Sequence, residues 1–231
     1  MSGSLRAVVI GLGGVGGALA PVLARYLEHR AGPRSRVLLV DGDVFQQRNA
    51  ERQQFRRIGN KAEVVAEMLA EQFERVSLRA FGQYVDAVNI VDVIENGTCV
   101  LLAVDNHATR KLVSDFCGTL SDVTLISGGN ELTDGNVQVF ARREGQNLTT
   151  PLTGFHPEIA RPADRSPADL GCDVLLAEGE PQLLFTNLAV ASAMLSAWYG
   201  AIELGRLGYD EVYLDITAAR MVPVQRLARG E

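Results

Sequence analysis

The sequence predicts an α/β fold built on a doubly wound, mostly parallel sheet with antiparallel strands added toward the C-terminus. Short apolar runs rich in β-branched residues alternate with segments in which apolar residues recur at helical spacing. The first run ends in a glycine-rich turn, and two later runs are followed directly by a carboxylate. Right-handed crossovers between successive parallel strands place helices on both faces of one sheet, as in Rossmann-like folds.

The N-terminal part supplies the parallel strands and their crossover helices. We predict helices from the glycine-rich turn to Leu27 and at residues 61–73, 87–95 and 109–117. The predicted strands lie at residues 7–10, 37–40, 76–81, 99–104 and 123–126. A polar loop at residues 41–60 joins the second strand to the second helix.

The C-terminal part departs from this alternation. An antiparallel strand is predicted at residues 137–142, after Asp134-Gly135-Asn136. Two more strands are predicted at residues 212–216 and 221–227. The segment at residues 143–181, before the last two strands, contains several prolines and few apolar runs, and it predicts an irregular crossover.

Composition excludes several classes of protein. The 231 residues are 47% hydrophobic and 22% charged, which excludes disordered, collagen-like and disulfide-framework proteins. The net charge of −6 argues against a nucleic-acid or anionic-membrane binder. Because the cysteines are widely spaced and no signal-like segment opens the chain, we expect a cytoplasmic protein.

One apolar stretch is long enough to span a bilayer. Residues 181–202 are 22 consecutive uncharged residues. They include polar residues such as Gln182 and Asn187, and their large apolar side chains alternate with alanine and serine. We therefore expect a helix buried between other elements or in a dimer interface rather than in a membrane.

A G-x-G-G-x-G loop comes directly after the first strand and opens the first helix. Its glycines are Gly11, Gly13, Gly14 and Gly16. In this context glycines let the backbone approach phosphates at a helix N-terminus, so we predict nucleotide binding. The alternative is a strand-to-helix turn whose glycines serve close packing only.

Asp41 follows the second strand, 25 residues after Gly16. A carboxylate at this position commonly accepts hydrogen bonds from a ribose, which favours an adenosine-containing ligand. The alternative is an ordinary solvated aspartate at a strand end. The glycine loop and Asp41 alone are also compatible with an NAD-dependent oxidoreductase.

A dense polar cluster in the next loop has no counterpart in that dehydrogenase alternative. The cluster comprises Asp43, Asn49, Arg52, Gln53 and Lys61. Arg52 and Lys61, close to a glycine-rich turn, can neutralise a triphosphate and the charge that develops as pyrophosphate leaves.

These motifs resemble those of the ThiF/MoeB and ubiquitin-activating E1 adenylation family, which are G-x-G-G-x-G, D-x-D, N-x-x-R-Q, G-x-x-K and D-N-x-x-x-R. The last motif is here Asp105-Asn106-His107-Ala108-Thr109-Arg110. The resemblance covers residues 6–142 and, more weakly, residues 172–203. We therefore expect one domain, 1–231, with a nucleotide-binding core (6–142), an irregular crossover segment (143–181) and a C-terminal part with the apolar helix and terminal strands (182–231).

The resemblance implies ATP- and Mg²⁺-dependent adenylation of the C-terminal carboxylate of a ubiquitin-like or sulfur-carrier protein, giving an acyl-adenylate and pyrophosphate. The four loop glycines would wrap the phosphates, Asp41 would hold the ribose, and Asp105 would coordinate magnesium. Arg52 and Lys61 would stabilise the transition state. The remaining members of the implied cofactor-binding set are Asp43, Asn49 and Asn106.

Some of these residues have structural alternatives. Asp105 can instead be read as the N-cap of the following helix, and Arg110 is expected to be structural. Cys172 would take the acyl group as a thioester or acyl-persulfide, the alternative being an inert cysteine. Cys99 and Cys117 are expected in the core.

Departures from the family pattern define further expectations. The C-x-x-C pairs are missing, so we expect no structural zinc. The interval from Arg52 to Lys61 is shorter than in MoeB-like proteins, and Gly59 is one residue closer to Lys61 than in the G-x-x-K motif. Little chain precedes the first strand, where relatives have a helix that supplies an arginine across the dimer. This short form is similar to the ThiF-like proteins of PRTRC cassettes. Expected partners are a small carrier, a second copy of the chain and an E2-like protein; the alternative is a non-catalytic half of a heterodimeric E1.

Overall fold

The structure, a computed structural model, describes residues 4–30, 32–47, 50, 53–169, 183–206 and 208–226. The strands of this part are β1 (Arg6–Ile10), β2 (Arg36–Val40), β3 (Ser77–Phe81), β4 (Thr98–Leu102), β5 (Val123–Asn130), β6 (Asp134–Arg143), β7 (Gln146–Asn147), β8 (Glu211–Asp215) and β9 (Arg220–Val224). Its α-helices are α1 (Gly14–His29), α2 (Lys61–Ala70), α3 (Ile90–Val93), α4 (His107–Cys117), α5 (Pro157–Ala160) and α6 (Leu184–Trp198).

The described strands form one nine-stranded sheet, in which the order is β3-β2-β1-β4-β5-β6-β8-β9 and β7 pairs with β6. Strands β1 to β5 pair in parallel, and the pairs from β5 onward are antiparallel. The predicted fold class, a mostly parallel sheet with antiparallel C-terminal additions, is therefore confirmed.

Helices cover both faces of the sheet. Helices α1, α2 and α6 bury their apolar residues on one face. Helices α3, α4 and α5 pack on the other, around Val100, Leu102 and Leu125. Because both faces are covered, the central strand β4 is buried along its whole length, which explains its continuous apolar run.

Several predicted boundaries differ from the structure. The antiparallel strand predicted at residues 137–142 begins earlier, because Asp134-Gly135-Asn136 open β6 and the chain reverses before them. Gly135 is needed inside the strand, since a Cβ there would lie 2.6 Å from Cγ2 of Val190 on α6. The helix predicted at residues 87–95 is a single turn, and the crossover segment contains α5 and two short 3₁₀ turns.

Helices α1 and α6 lie side by side and run parallel. Gly14 and Asn187 meet near their N-terminal ends, and Tyr26 and Trp198 form an edge-to-face pair with centroids 5.3 Å apart further along. Within the described residues, Leu184–Glu203 is long and apolar enough to cross a membrane, a property that core helices share. Here α6 packs against α1, β5 and β6 as a core helix.

Candidate functional site

The carboxyl ends of β1, β2 and β4 meet at the centre of the sheet. Ile10, the last residue of β1, pairs with Val40 on one side and with Leu102 on the other. The residues that follow these strands, Gly11 and Asp41 among them, are thereby gathered at one edge. In open α/β sheets this edge is where ligands bind.

Gly11 and Gly16 allow the strand, the turn and the helix to approach closely. Gly11 has a φ of +88°, and a Cβ there would lie 2.7 Å from the carbonyl oxygen of Ala103. A Cβ at Gly16 would lie 1.8 Å from the carbonyl oxygen of Gly11. Gly11 and Gly16 therefore serve close packing, which is the alternative role considered for the loop glycines.

Gly13 and Gly14 stand at the N-terminus of α1. Gly13 is the N-cap, no side chain of the described part of the chain caps the helix, and its first turn contains no acidic residue. The first N–H groups of an α-helix have no partner within the helix, and the helix dipole adds positive potential there. This end of α1 is therefore suited to an anion.

Asp41 binds the glycine loop directly. Its carboxylate accepts hydrogen bonds from the backbone N–H groups of Leu12 at 2.6 Å and Asp43 at 2.8 Å. Burial raises the pKa of Asp41, and the nearby Lys61 ammonium opposes this effect. A carboxylate has about four acceptor positions, so these two bonds leave room for a ribose hydroxyl.

Lys61 lies beside Asp41 and Asp43. It is the first residue of α2, its side chain is 8% exposed, and its Nζ lies 2.5 Å from Oδ2 of Asp43. Asn60 caps α2 by accepting the N–H of Glu63, and its Nδ2 donates to the carbonyl oxygen of Asp41 at 2.9 Å. A cation is thus held at the sheet edge next to the glycine loop.

Asn106, not Asp105, caps α4. Its side-chain oxygen accepts a 2.8 Å hydrogen bond from the N–H of Thr109, and its backbone is extended. The interpretation of Asp105 as the cap is therefore wrong, because the residue with cap geometry is one position later. Asp105 is exposed, and its carboxylate makes no hydrogen bond to any described residue.

Arg110 joins the end of β4 to β5. The buried guanidinium donates to the carbonyl oxygens of Val104 at 2.7 Å and Gly128 at 3.0 Å, and to Oγ of Ser127 at 3.1 Å. Burial lowers the pKa of Arg110, and the Asp105 carboxylate opposes this effect. Arg110 therefore has the structural position expected for it, directly behind Asp105.

The crossover segment is attached beside Asp105. The carboxylate of Asp164 accepts the N–H groups of His107 at 2.7 Å and Ala108 at 2.9 Å, at the start of α4. The hydroxyls of Ser166 and Thr109 lie 3.2 Å apart. Neither Asp164 nor Ser166 carries a motif that singles it out in the sequence.

Three predicted site residues, Asn49, Arg52 and Cys172, lie outside the described residues. Gln53, from the same motif as Arg52, is described, and its Nε2 would lie 3.9 Å from a Cβ at Gly13. A cavity of about 580 Å³ extends from this loop to the start of α6, with Gln53, Phe55, Arg56 and Leu184 among its lining residues.

The sequence pattern does not identify Asn187 as a residue near the site. It is completely buried on α6, and its amide nitrogen would lie 2.0 Å from a Cβ at Gly14. The available signal was an amide within a nearly continuous apolar helix. The two cysteines expected in the core, Cys99 and Cys117, are buried, and burial raises the pKa of each thiol to about 12.

Solved structures share this fold. E. coli MccB crystallised with ATP superposes with a TM-score of 0.69 at 13% identity, over 96% of this chain and 63% of that chain. MccB with AMPCPP and MccA gives 0.68 at 13% identity, over 96% and 65%. PaaA gives 0.70 at 15% identity, over 96% and 72%. The chain therefore shares the fold of MccB, a protein that was crystallised with ATP.

Sequence comparison identifies the family. The chain is 30% identical over 142 residues to the adenylyltransferase and sulfurtransferase MOCS3 of Drosophila ananassae, a match that covers 60% of this chain. It spans only 30% of the length of that protein. The model of the ThiF family matches residues 3–194. The chain belongs to the ThiF family.

Proposed function

We propose that this protein uses ATP to adenylate a carboxylate, releasing pyrophosphate. One observation supports the proposal most strongly: a continuous set of contacts links the glycine-rich turn to a cation. Leu12 of the glycine loop donates to Asp41, Asp41 accepts the N–H of Asp43, and Asp43 pairs with Lys61. A hydride-transfer site has no need for a lysine in this position.

Electrostatics explains why adenylation needs such a cation. The attacking carboxylate and the triphosphate are both anionic, so the site must reduce their mutual repulsion. We propose that Lys61 exchanges part of its contact with the half-exposed Asp43 for phosphate oxygens, and that the α1 N-terminus supplies further donors. Arg52 is proposed as a second cation. No residue need act as a general base, since the nucleophile is already deprotonated.

Magnesium fits the residues at this edge. Mg²⁺ is usually held by one or two carboxylates together with substrate phosphates and water. Asp105 offers an exposed carboxylate without a described hydrogen-bond partner, at the end of the strand next to the glycine loop. When bound, Mg²⁺ would neutralise phosphate charge and favour the departure of pyrophosphate. Asn106 orients this corner by capping α4.

We propose that the carboxylate substrate is the C-terminus of a small ubiquitin-like or sulfur-carrier protein. We also propose that the protein belongs to the PRTRC subgroup of the family. The names of the relatives are compatible with a peptide or carrier substrate: MOCS3 is a sulfurtransferase, and MccB was crystallised with MccA. As a second step we propose that the Cys172 thiolate attacks the acyl-adenylate, which forms a thioester and releases AMP. A homodimer formed through the exposed apolar side chains of α6 is proposed as the assembly.

Pyrophosphate exchange into ATP tests the proposal. The reaction mixture contains Mg²⁺ and, as the candidate carrier, a small ubiquitin-like protein that ends in Gly-Gly. We expect exchange by the native protein, and losses of at least about 100-fold in Lys61→Met and Asp105→Asn, in the range seen for transition-state electrostatic groups. Arg52→Ala is expected to behave in the same way, and Cys172→Ala to retain exchange.

Matched controls come from α4. Lys111 and Asp115 form an exposed ion pair on that helix, and Lys111→Met with Asp115→Asn should leave exchange unchanged. Binding of the carrier without any adenylate would contradict the proposal and favour a non-catalytic E1-like half. Exchange that survives both Lys61→Met and Asp105→Asn would show that the site is misassigned.

A further inference from the structure

Asn187 is a buried amide without a partner. The residue has no exposed surface, and neither its Nδ2 nor its Oδ1 makes a hydrogen bond within the part of the chain that the structure describes. Buried polar side chains are normally satisfied, so an unsatisfied one requires an explanation. Asn187 does not contribute the hydrogen bonds that would justify an amide in a core helix, and a leucine of similar size would fill the same space.

The amide lies beside the phosphate-binding turn. Nδ2 of Asn187 would be 2.0 Å, and its Oδ1 2.9 Å, from a Cβ at Gly14, the first residue of α1. The absence of a side chain at Gly14 therefore allows the amide to reach the helix end. Gly14 makes room for a donor as well as for close packing of the two helices.

Two helix N-termini lie together at this point. Asn187 is in the first turn of α6, as Gly14 is in the first turn of the parallel α1. Among the described residues no side chain caps either helix, and neither helix has an acidic residue in its first turn. Since uncapped N-termini favour anions, the two ends reinforce each other around the buried amide.

The adjoining loop has a second unsatisfied amide. Oε1 of Gln53 is buried without a partner within the described residues, and Nε2 of Gln53 lies near Gly13. A cavity lined by Gln53 and by Leu184, at the start of α6, lies beside this loop, and Asn187 is not among its lining residues. Two unsatisfied amide groups and two uncapped helix ends are thus found together.

We infer that α6 forms part of the phosphate site, with the side-chain N–H of Asn187 donating to an oxygen of the nucleotide polyphosphate seated across the two helix ends. The inference rests on the proposed function in taking ATP as the ligand. It adds to the glycine loop a donor from a distant part of the chain. Because the amide is fully covered, binding includes a local shift that uncovers it.

Calorimetric titration with inorganic pyrophosphate, ATP and adenosine tests this role. Asn187→Leu keeps the size of the side chain and removes the donor. We expect it to weaken the binding of pyrophosphate and ATP at least tenfold and to leave adenosine unchanged. Without ligand its melting temperature should equal or exceed that of the native protein, since an unsatisfied amide is removed.

A second variant and a control complete the test. Asn187→Asp places a negative charge where the helix ends stabilise it, so the chain should fold and bind pyrophosphate still more weakly. Gln138→Leu is the control, because Gln138 is a buried amide with an unpartnered oxygen on β6, outside the glycine loop. It should bind all three ligands as the native protein does.

Each outcome decides the question. Native affinity in both Asn187 variants would overturn the inference and leave the proposed function intact. Equal loss of adenosine and pyrophosphate, or a lower melting temperature in Asn187→Leu, would show a structural role and would also overturn it. A native protein that binds neither ATP nor pyrophosphate would contradict the proposed function together with this inference.

Discussion

The carboxylate of Asp41 accepts the backbone N–H of Leu12 at 2.6 Å and so fastens the glycine-rich loop to the end of the neighbouring strand. Asp41, the residue expected to bind the ribose, thus also has a structural role, because it holds the glycine-rich loop. The Asp41 carboxylate is buried, with the Lys61 ammonium group nearby. Residues that hydrogen-bond to the glycine-rich loop should therefore affect both the stability of the fold and the affinity for the nucleotide.

Replacing Asp41 should weaken both properties. In Asp41→Asn the amide NH₂ group cannot accept the backbone N–H that it would face, so we expect a loss of about 1–3 kcal/mol in the free energy of unfolding. ATP affinity should fall at least tenfold. Urea unfolding and calorimetry measure the two effects. Asp215→Asn is the control, since Asp215 also accepts backbone N–H groups after a strand but is outside the site.

Three glycines of α1 should respond differently to alanine. Gly16→Ala should destabilise most, because its Cβ would meet a backbone oxygen at 1.8 Å. Gly14→Ala should cost about 1–3 kcal/mol through overpacking against Asn187. Gly17→Ala should be neutral or stabilise by up to about 1 kcal/mol, since its Cβ makes an ordinary 3.5 Å contact and alanine favours helices.

Urea unfolding of these three variants measures the order of their stabilities. A Gly14→Ala protein as stable as Gly17→Ala would contradict the close contact between α1 and α6. The double variant Gly14→Ala with Asn187→Ala should recover part of the lost stability, because the two changes concern the same space.

Arg110→Lys should destabilise the fold and reduce exchange. Lysine cannot reproduce the forked contacts to Val104, Ser127 and Gly128, and we expect a loss of about 2 kcal/mol. The strand end that carries Asp105 should then be less well positioned for Mg²⁺. Titration of exchange with Mg²⁺ should show a higher requirement.

Arg143→Lys is the matched control for Arg110. Arg143 also donates to a β5 carbonyl oxygen, that of Val123, and to the hydroxyl of Thr124, but at the opposite end of the strand. It should lower stability without changing the Mg²⁺ requirement of exchange. If both variants changed that requirement equally, the effect would be one of stability alone.

A polar cluster at β8 predicts a pH dependence of stability. The hydrogen bond to Glu211 raises the pKa of His156 above its ordinary 6.5. Burial opposes ionisation of Glu211, but hydrogen bonds from His156, Arg226 and Tyr213 outweigh it and lower the pKa of Glu211 to about 2. Glu158 also contacts His156 and raises its pKa further.

The direction in which stability changes with pH follows from these pKa shifts. The contribution of His156 is complete below pH 6.5 and is lost as the pH rises through its higher folded pKa. That of Glu211 is present above pH 4.5 and is lost as the pH falls toward 2. Stability from this cluster should therefore be greatest between about pH 4.5 and 6.5.

Urea unfolding between pH 4 and 9 measures this window. His156→Gln should lose about 1–2 kcal/mol at pH 6 and show a flatter decline toward pH 9. His29→Gln, at the exposed end of α1, should keep the native decline. An unchanged decline in His156→Gln would rule out the cluster as its cause.

The fold could be predicted because buried parallel strands carry continuous apolar runs. The same reasoning places Gly11, Asp41 and Asp105 at one edge, since each follows a strand of the parallel sheet. It could not show which of Asp105 and Asn106 caps α4, because that choice depends on the backbone conformation of a single residue. Nor could it find the contact between Gly14 and Asn187, which depends on how α1 and α6 pack.

The most direct test of the central claim is calorimetric titration of the protein with ATP and with NAD in the presence of Mg²⁺. We expect ATP to bind, NAD not to bind, and Lys61→Met to weaken ATP binding at least tenfold, or about 1.4 kcal/mol, with no loss of folding. Binding of NAD in preference to ATP, or native ATP affinity in Lys61→Met, would contradict the proposal that Lys61 serves a nucleotide triphosphate at this sheet edge.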